Sequence, residues 1–181
     1  MGHRFLDILF SPAVKAVQES ENSRMLFERF EKSDTRNAQL GDREIRFLRE
    51  RDSFYMATVT PDGWPYLQHR GGPKGFLKVL DDQHVGFADF RGNRQYISTG
   101  NLRHNDRIAL FLMDYPNRRR LKMLGRASEF DFRHSAPNEA IEGLRSVLGD
   151  LDYSADIERG FLIRVEAFDW NCSQHITPRF E

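Results

Sequence analysis

The chain has 181 residues, 39% of them hydrophobic and 30% charged, with 27 Lys/Arg against 27 Asp/Glu and one cysteine, Cys172. These figures fit one soluble globular domain with room for a small appendage, exclude an intramolecular disulfide, and speak against general affinity for polyanions. No apolar run approaches the ~20 residues of a membrane span, and the short apolar patch in MGHRFLDILFSPAV contains Asp7, so it does not read as a signal peptide and the expected location is the cytoplasm.

In chain order, Ser11 followed by Pro12 reads as an N-cap and a first-turn proline, which starts a short helix. A second helix runs through SRMLFERFEK, where Met25, Leu26, Arg29 and Phe30 recur at helical spacing. Residues 32–39 read as a polar linker. Asp42 can cap a third helix, DREIRFLRERD, with Ile45 and Leu48 facing inward. Residues 1–51 thus form a helical extension that packs on the main body or on a partner subunit, and 52–181 form the main domain. From Ser53 the period changes to two. SFYMATVT and WPYLQHR flank a PDG turn, and GFLKVLDD and QHVGFADF flank a turn at residues 81–83. Asn93 opens a short helix over RQYISTGNLRHN. RIALFLMDY and RRRLKMLGRASEF are the next strands, Pro137 starts a helix over NEAIEGLRSVLG, and GFLIRVEAFDW is the last strand. About seven strands with helices at the edges predict a mainly β, α+β domain closed as an antiparallel barrel.

Charge is distributed unevenly along this pattern. Residues 91–126 hold nine Lys/Arg and two Asp, a local positive surplus inside a neutral chain that points to a dedicated anion site. After Arg91-Gly92-Asn93 a helix start offers unpaired N–H groups, Gly92 allows close backbone approach, Arg91 and Arg94 can bind phosphate oxygens, and Ser98 can donate a hydroxyl. The competing reading of Arg91 and Arg94 is a solvated surface. Gln68, His69 and Arg70 lie at the exit of a strand, ahead of the Gly71-Gly72-Pro73-Lys74 loop, where they can reach a planar polar ring; His69 reads equally as a hydrogen-bonded structural histidine. Arg118 and Arg120 share one strand face and Arg119 takes the other, so at least one points into a barrel or dimer seam and needs an anionic or carbonyl partner. A nucleic-acid patch competes with this reading, against which stand the neutral total and the lack of a basic helix. In Trp170-Asn171-Cys172-Ser173-Gln174-His175 the ligand set falls short of a metal site, and Cys172 lacks a base; Trp170 reads as an aromatic wall over a site.

Taken together, PDGWPYLQHRGGPKGFLKVLDD, DFRGNRQYISTGNL and DYPNRRRLKMLG resemble the FMN-binding split-barrel superfamily, the pyridoxamine 5′-phosphate oxidase-like proteins. The likeness covers residues 52–126, and more weakly the C-terminal RVEAFDWNCSQHITPRF. It implies an antiparallel split β-barrel of FMN-binding type. The family's arginine-to-lysine strand segment falls near Arg70 to Lys78. Its Ser-Arg-Lys phosphate motif falls on Asn93-Arg94-Gln95, so only the arginine is kept. Its Arg-Gln pair at the flavin edge falls on Arg119-Arg120, where a cationic Arg120 would stabilise an anionic reduced ring. The family's C-terminal arginine-leucine-x-proline motif is absent; the tail reads Ile176-Thr177-Pro178-Arg179. The resemblance further implies a homodimer with FMN at the subunit interface, completed by Trp170, Gln174 or Arg179 of the neighbouring chain. Lys74 and Arg91 join this set as cofactor contacts. The expectation is an FMN-dependent oxidoreductase acting on a small planar substrate, with no side chain marked as catalytic acid or base. A non-catalytic flavin carrier or stress-response protein, and a heme- or deazaflavin-binding relative, are the alternatives in the same fold.

Overall fold

The computed structural model describes residues 3–32, 37–134, 138–149, 153–170 and 172–180. Its strands are β1 (Ser53–Val59), β2 (Pro65–Gly71), β3 (Lys78–Val79), β4 (His84–Phe90), β5 (Arg107–Asp114), β6 (Arg119–Asp131) and β7 (Ile157–Trp170). Its helices are α1 (Arg4–Leu9), α2 (Pro12–Ser20), α3 (Arg24–Glu31), α4 (Asp42–Arg49), α5 (Ile97–Leu102) and α6 (Glu139–Leu148). The strands make one antiparallel sheet in the order β2-β1-β5-β6-β7-β4-β3.

Alternation builds the core. Ile108, Leu110 and Leu112 of β5 face inward, and Leu110 and Leu112 lie opposite Met123 and Leu121 of β6. The sheet then curls until its two ends face one another. Phe54 of β1 meets Phe87 of β4 edge-on at 5.2 Å, and Phe76 and Phe161 stack on this pair at 5.4 and 5.1 Å. Backbone pairing does not complete the circle. The closed barrel expected from the strand count is instead an open, split one with β2 and β3 as edges. The reason lies in the Gly-Gly-Pro-Lys-Gly segment. Its Gly72 and Gly75 N–H groups donate to the carbonyls of Asp52 and Arg51, and Gly75 takes a φ of +77°, so the chain turns where a longer β3 was expected. Side chains close the gap: Arg70 on β2 is ion-paired with Asp89 on β4.

Local signals explain the helix ends. Ser11 caps α2 by accepting from the Val14 N–H at 3.3 Å. The cap of α4 is Gly41, not Asp42, because the Glu44 carboxylate reaches back to the Gly41 N–H at 3.1 Å. Phe47 and Leu48 of α4 enter the main core, and Ile45 packs against it. Sequence reading missed α1, whose Phe5 is buried. On α3 the apolar Met25, Leu26 and Phe30 face outward. The helix expected to open at Asn93 begins at Ile97, since Arg94 and Tyr96 adopt left-handed backbone. Asn138 caps α6, accepting from the Ile141 N–H at 2.9 Å; Pro137 and positions 33–36 of the expected linker lie outside the described residues. No helix among the described residues is long and apolar enough to cross a membrane.

The β5–β6 turn refines the arginine reading. Arg118 belongs to the turn, at φ +50°, so alternation begins only at Arg119. Arg119 binds the buried Asp114 through two N–H groups at 2.6 and 3.0 Å. Burial alone would raise the Asp114 carboxyl; Arg119, the Asn117 amides and Arg51 more than offset it and hold it below its ordinary value.

Two outcomes follow. Phe87→Ala opens a cavity at the aromatic cluster and should lower unfolding free energy by about 3–5 kcal/mol, read from the urea midpoint. Because the Asp114 carboxyl is depressed in the folded state, its stabilisation is present above the unfolded value of about 3.9 and is lost as pH falls through the folded one. Acid unfolding curves should therefore show a smaller pH dependence below about pH 4 in Asp114→Asn than in the parent.

Candidate functional site

The open side of the sheet holds a cavity of about 280 Å³. β2 brings Gln68, His69 and Arg70 to it, and β4 brings Ala88, Asp89 and Phe90. The loop after β4 contributes Asn93, Arg94 and Tyr96, and the first turn of α5 contributes Ser98 and Thr99. Phe76 and Phe87 carry the aromatic core up to it. The loop is held in a definite shape. The Gln95 N–H donates to the Asn93 carbonyl Oδ1 at 3.2 Å, and Arg94 and Tyr96 have φ values of +61° and +53°. Left-handed backbone costs a non-glycine residue about 1–3 kcal/mol, and such strain clusters at functional sites. Asn101 anchors α5 to β1 by donating to the Thr58 hydroxyl at 2.9 Å.

Beneath the loop lies a charged network. Arg159 on β7, with 4% of its side chain exposed, reaches Glu129 at 3.0 Å, Glu158 at 3.2 Å and Asp89 at 3.4 Å. Its guanidinium also lies 4.3 Å from the Tyr96 ring centre. The Tyr96 hydroxyl donates to Glu158 at 3.1 Å. Arg94, with Arg133 and Arg159, holds the Tyr96 phenol below its ordinary value. Burial pushes the Asp89 carboxyl up, and Arg70 and Arg159 oppose that only in part. Among the described residues, two buried polar atoms of the cavity lining have no partner: Arg70 Nε and Ser98 Oγ. An orphaned buried donor costs about 1–3 kcal/mol, and both atoms are free to donate to an acceptor in the cavity.

Of the residues singled out from sequence, Gln68, His69, Arg70, Asn93, Arg94 and Ser98 line this one cavity. Arg91 and Gln95 share the loop without lining it; Arg91 is exposed, 3.9 Å from Asp156. Lys74 is exposed on the glycine-rich turn. Within the chain, Arg119, Arg120, Trp170 and Gln174 stand apart from the cavity. Arg119 serves Asp114, and Arg120 has a buried Nε without a partner. The Trp170 indole donates to Glu44 at 2.6 Å and packs edge-on against Phe47. Gln174 and Arg179 are exposed on the tail, and Asn171 lies outside the described residues. Sequence reading missed Asp89, Tyr96, Glu158 and Arg159. Asp89 and Tyr96 lie inside the ADFRGNRQYISTGNL stretch. Glu158 and Arg159 precede the apolar run that marks the last strand from Gly160, whereas β7 begins at Ile157.

Comparison with known proteins agrees with the fold. A family model described as pyridoxamine 5′-phosphate oxidase matches residues 42–148. No curated protein matches the chain. Among solved structures, a candidate pyridoxamine 5′-phosphate oxidase from Lactobacillus delbrueckii has a TM-score of 0.53 at 18% identity, covering 74% of this chain and 96% of its own. HupZ of Group A Streptococcus also has a TM-score of 0.53, at 16% identity, covering 78% and 100%. An FMN-binding protein from Syntrophomonas wolfei has a TM-score of 0.51 at 14% identity, covering 86% and 97%. At such identities the likeness is one of fold.

The network gives a direct test. Arg159→Met leaves three carboxylates short of their shared cation, and should destabilise the chain by about 3–5 kcal/mol in denaturant titration.

Proposed function

The chain belongs to the pyridoxamine 5′-phosphate oxidase family, and from that membership and the cavity at the split of its sheet we propose that it is an FMN-binding oxidoreductase that works as a homodimer. The observation that carries the reading is the pair of orphaned buried atoms, Arg70 Nε and Ser98 Oγ, in a cavity that also presents Arg94 and Asn93. A phosphate monoester suits them, since it carries several strong acceptor oxygens and negative charge. Arg94, Ser98 and Arg70 would hold the phosphate, and Gln68 and His69 the remainder of the cofactor. Bound FMN supplies hydride and one-electron chemistry; the chain's part is to hold it and set its electrostatic surroundings.

The homodimer rests on two features. At about 280 Å³ the cavity is at the lower edge of small-molecule sites, so a larger ligand needs further walls. The hairpin that supplies Gln68, His69 and Arg70 also exposes Tyr55, Trp64 and Leu67, which suits a subunit contact. Arg119, Arg120, Trp170 and Gln174, remote from the cavity of their own chain, are the groups a second subunit would bring. Cys172 is a free, exposed thiol, which fits a reducing compartment such as the cytoplasm.

The deciding experiment is an FMN titration of the parent and of Arg94→Ala, followed by turnover with NAD(P)H and common acceptors. Loss of the phosphate contact should weaken FMN by about 1.5–3 kcal/mol, roughly 10- to 150-fold. Equal affinity in the two proteins would refute the phosphate assignment. Tight FMN binding without turnover would support the flavin-carrier reading over the enzyme.

A further inference from the structure

A second cavity, of about 440 Å³, lies where the N-terminal end of α4 meets the end of β7, and it shares no lining residue with the first. Its walls include His3, Asn37, Arg43, Glu44, Phe168 and Trp170. Asn37 is 4% exposed, and among the described residues its Oδ1 has no hydrogen-bond donor. The amide cannot be turned round to cure this. Its Nδ2 donates to the Phe168 carbonyl at 2.5 Å and faces His3 Nδ1 at 3.0 Å, so the reversed amide would set two oxygens against each other. Asn37 therefore offers a fixed, unused acceptor.

A cation marks another part of the same cavity. The Arg43 guanidinium lies 4.1 Å from the Trp170 ring centre, and among the described residues no carboxylate pairs with it. Stacking leaves the guanidinium edges, where its N–H donors lie, available to an anion. The cavity's two carboxylates are already committed. Glu44 accepts from the Trp170 indole at 2.6 Å and from the Gly41 N–H at 3.1 Å, and Asp169 is paired with Lys122 at 3.0 Å. An incoming anion thus meets the Arg43 cation beside one ion-paired acid, Asp169, and one acid, Glu44, whose oxygens are hydrogen-bonded but still charged.

We propose that this cavity is a second small-molecule site, for a small anion that carries an N–H or O–H donor away from its charge. The donor would meet Asn37 Oδ1, the carboxylate or phosphate would meet Arg43, and the apolar middle would lie against Phe168 and Trp170. The site goes beyond the flavin reading, with which it shares Trp170.

Matched fragments test it. The full-length Trp64→Phe protein, altered outside this cavity, leaves Trp170 as the sole indole N–H signal in a ¹H–¹⁵N spectrum. It is titrated with 4-aminobenzoate, which has both groups, with benzoate, which lacks the donor, and with aniline, which lacks the charge. The expected result is a saturable Trp170 shift with 4-aminobenzoate at a Kd at least about tenfold below those of the other two. Arg43→Ala should raise the 4-aminobenzoate Kd by about tenfold and leave that of aniline unchanged. Arg43 is exposed, so this variant keeps the fold, whereas substitution of Asn37 would disturb its bond to Phe168. No saturable shift with any fragment, equal affinity for all three, or no effect of Arg43→Ala would each overturn the proposal and leave Asn37 as the partner of a structural water.

Discussion

Asp89 is a buried carboxylate held between two guanidinium groups, Arg70 from β2 and Arg159 from β7. The shape of the molecule depends on it. β2 and β4 lie near opposite ends of the sheet and share no ladder, so backbone hydrogen bonding cannot set the width of the split. The Arg70–Asp89 pair does so above, and the stacked rings of Phe54, Phe76, Phe87 and Phe161 do so below. Removing charge from water is costly, and a carboxylate survives there only with close partners. Arg159 spends its donors on three acids for that reason, and the site beside it inherits a rigid floor.

The same arrangement explains why the cavity has unused capacity. Arg70 is fixed by Asp89 through Nη1 while its Nε stays buried and unpaired, and Ser98 is fixed by the position of α5 while its hydroxyl stays unpaired. A fold that ties down the side chains and leaves specific atoms unsatisfied is preorganised for a ligand that supplies acceptors. The strained backbone at Arg94 and Tyr96 belongs to the same economy of form. Tyr96 is held by Glu158 and by the Arg159 guanidinium beside its ring, so packing from β7 stabilises a loop conformation that local propensity opposes.

Much of the architecture was legible in the residues. Period-two runs located the principal strands, because burying one face of a sheet writes alternation into the chain. Ser11-Pro12 marked α2, and the cluster of basic residues with glycines marked the loop that faces the cavity. The misreadings have physical causes. GFLKVLDD alternates well enough for a long strand, yet Gly72 and Gly75 bond to the α4–β1 junction and only Lys78–Val79 pair with β4. The helix at Asn93 was expected four residues early because helical periodicity does not report a left-handed backbone. Glu158 and Arg159 sit at a strand end where charge breaks the apolar pattern, and a strand boundary drawn from apolar residues excludes them.

The sequence by itself determined the element types, the family and the local concentration of positive charge. These are properties of neighbours along the chain: periodicity, caps, turns and runs. Which arginines share a cavity was decided only by tertiary structure. Arg70 and Arg94 come together because the sheet curls, while Arg91, equally basic and three residues from Arg94, faces solvent. Arg119 is claimed by Asp114 five positions away across a turn, and Trp170 by Glu44 on a distant helix. A side chain's partner depends on distances between elements far apart in sequence, and the packing of the aromatic core sets those distances.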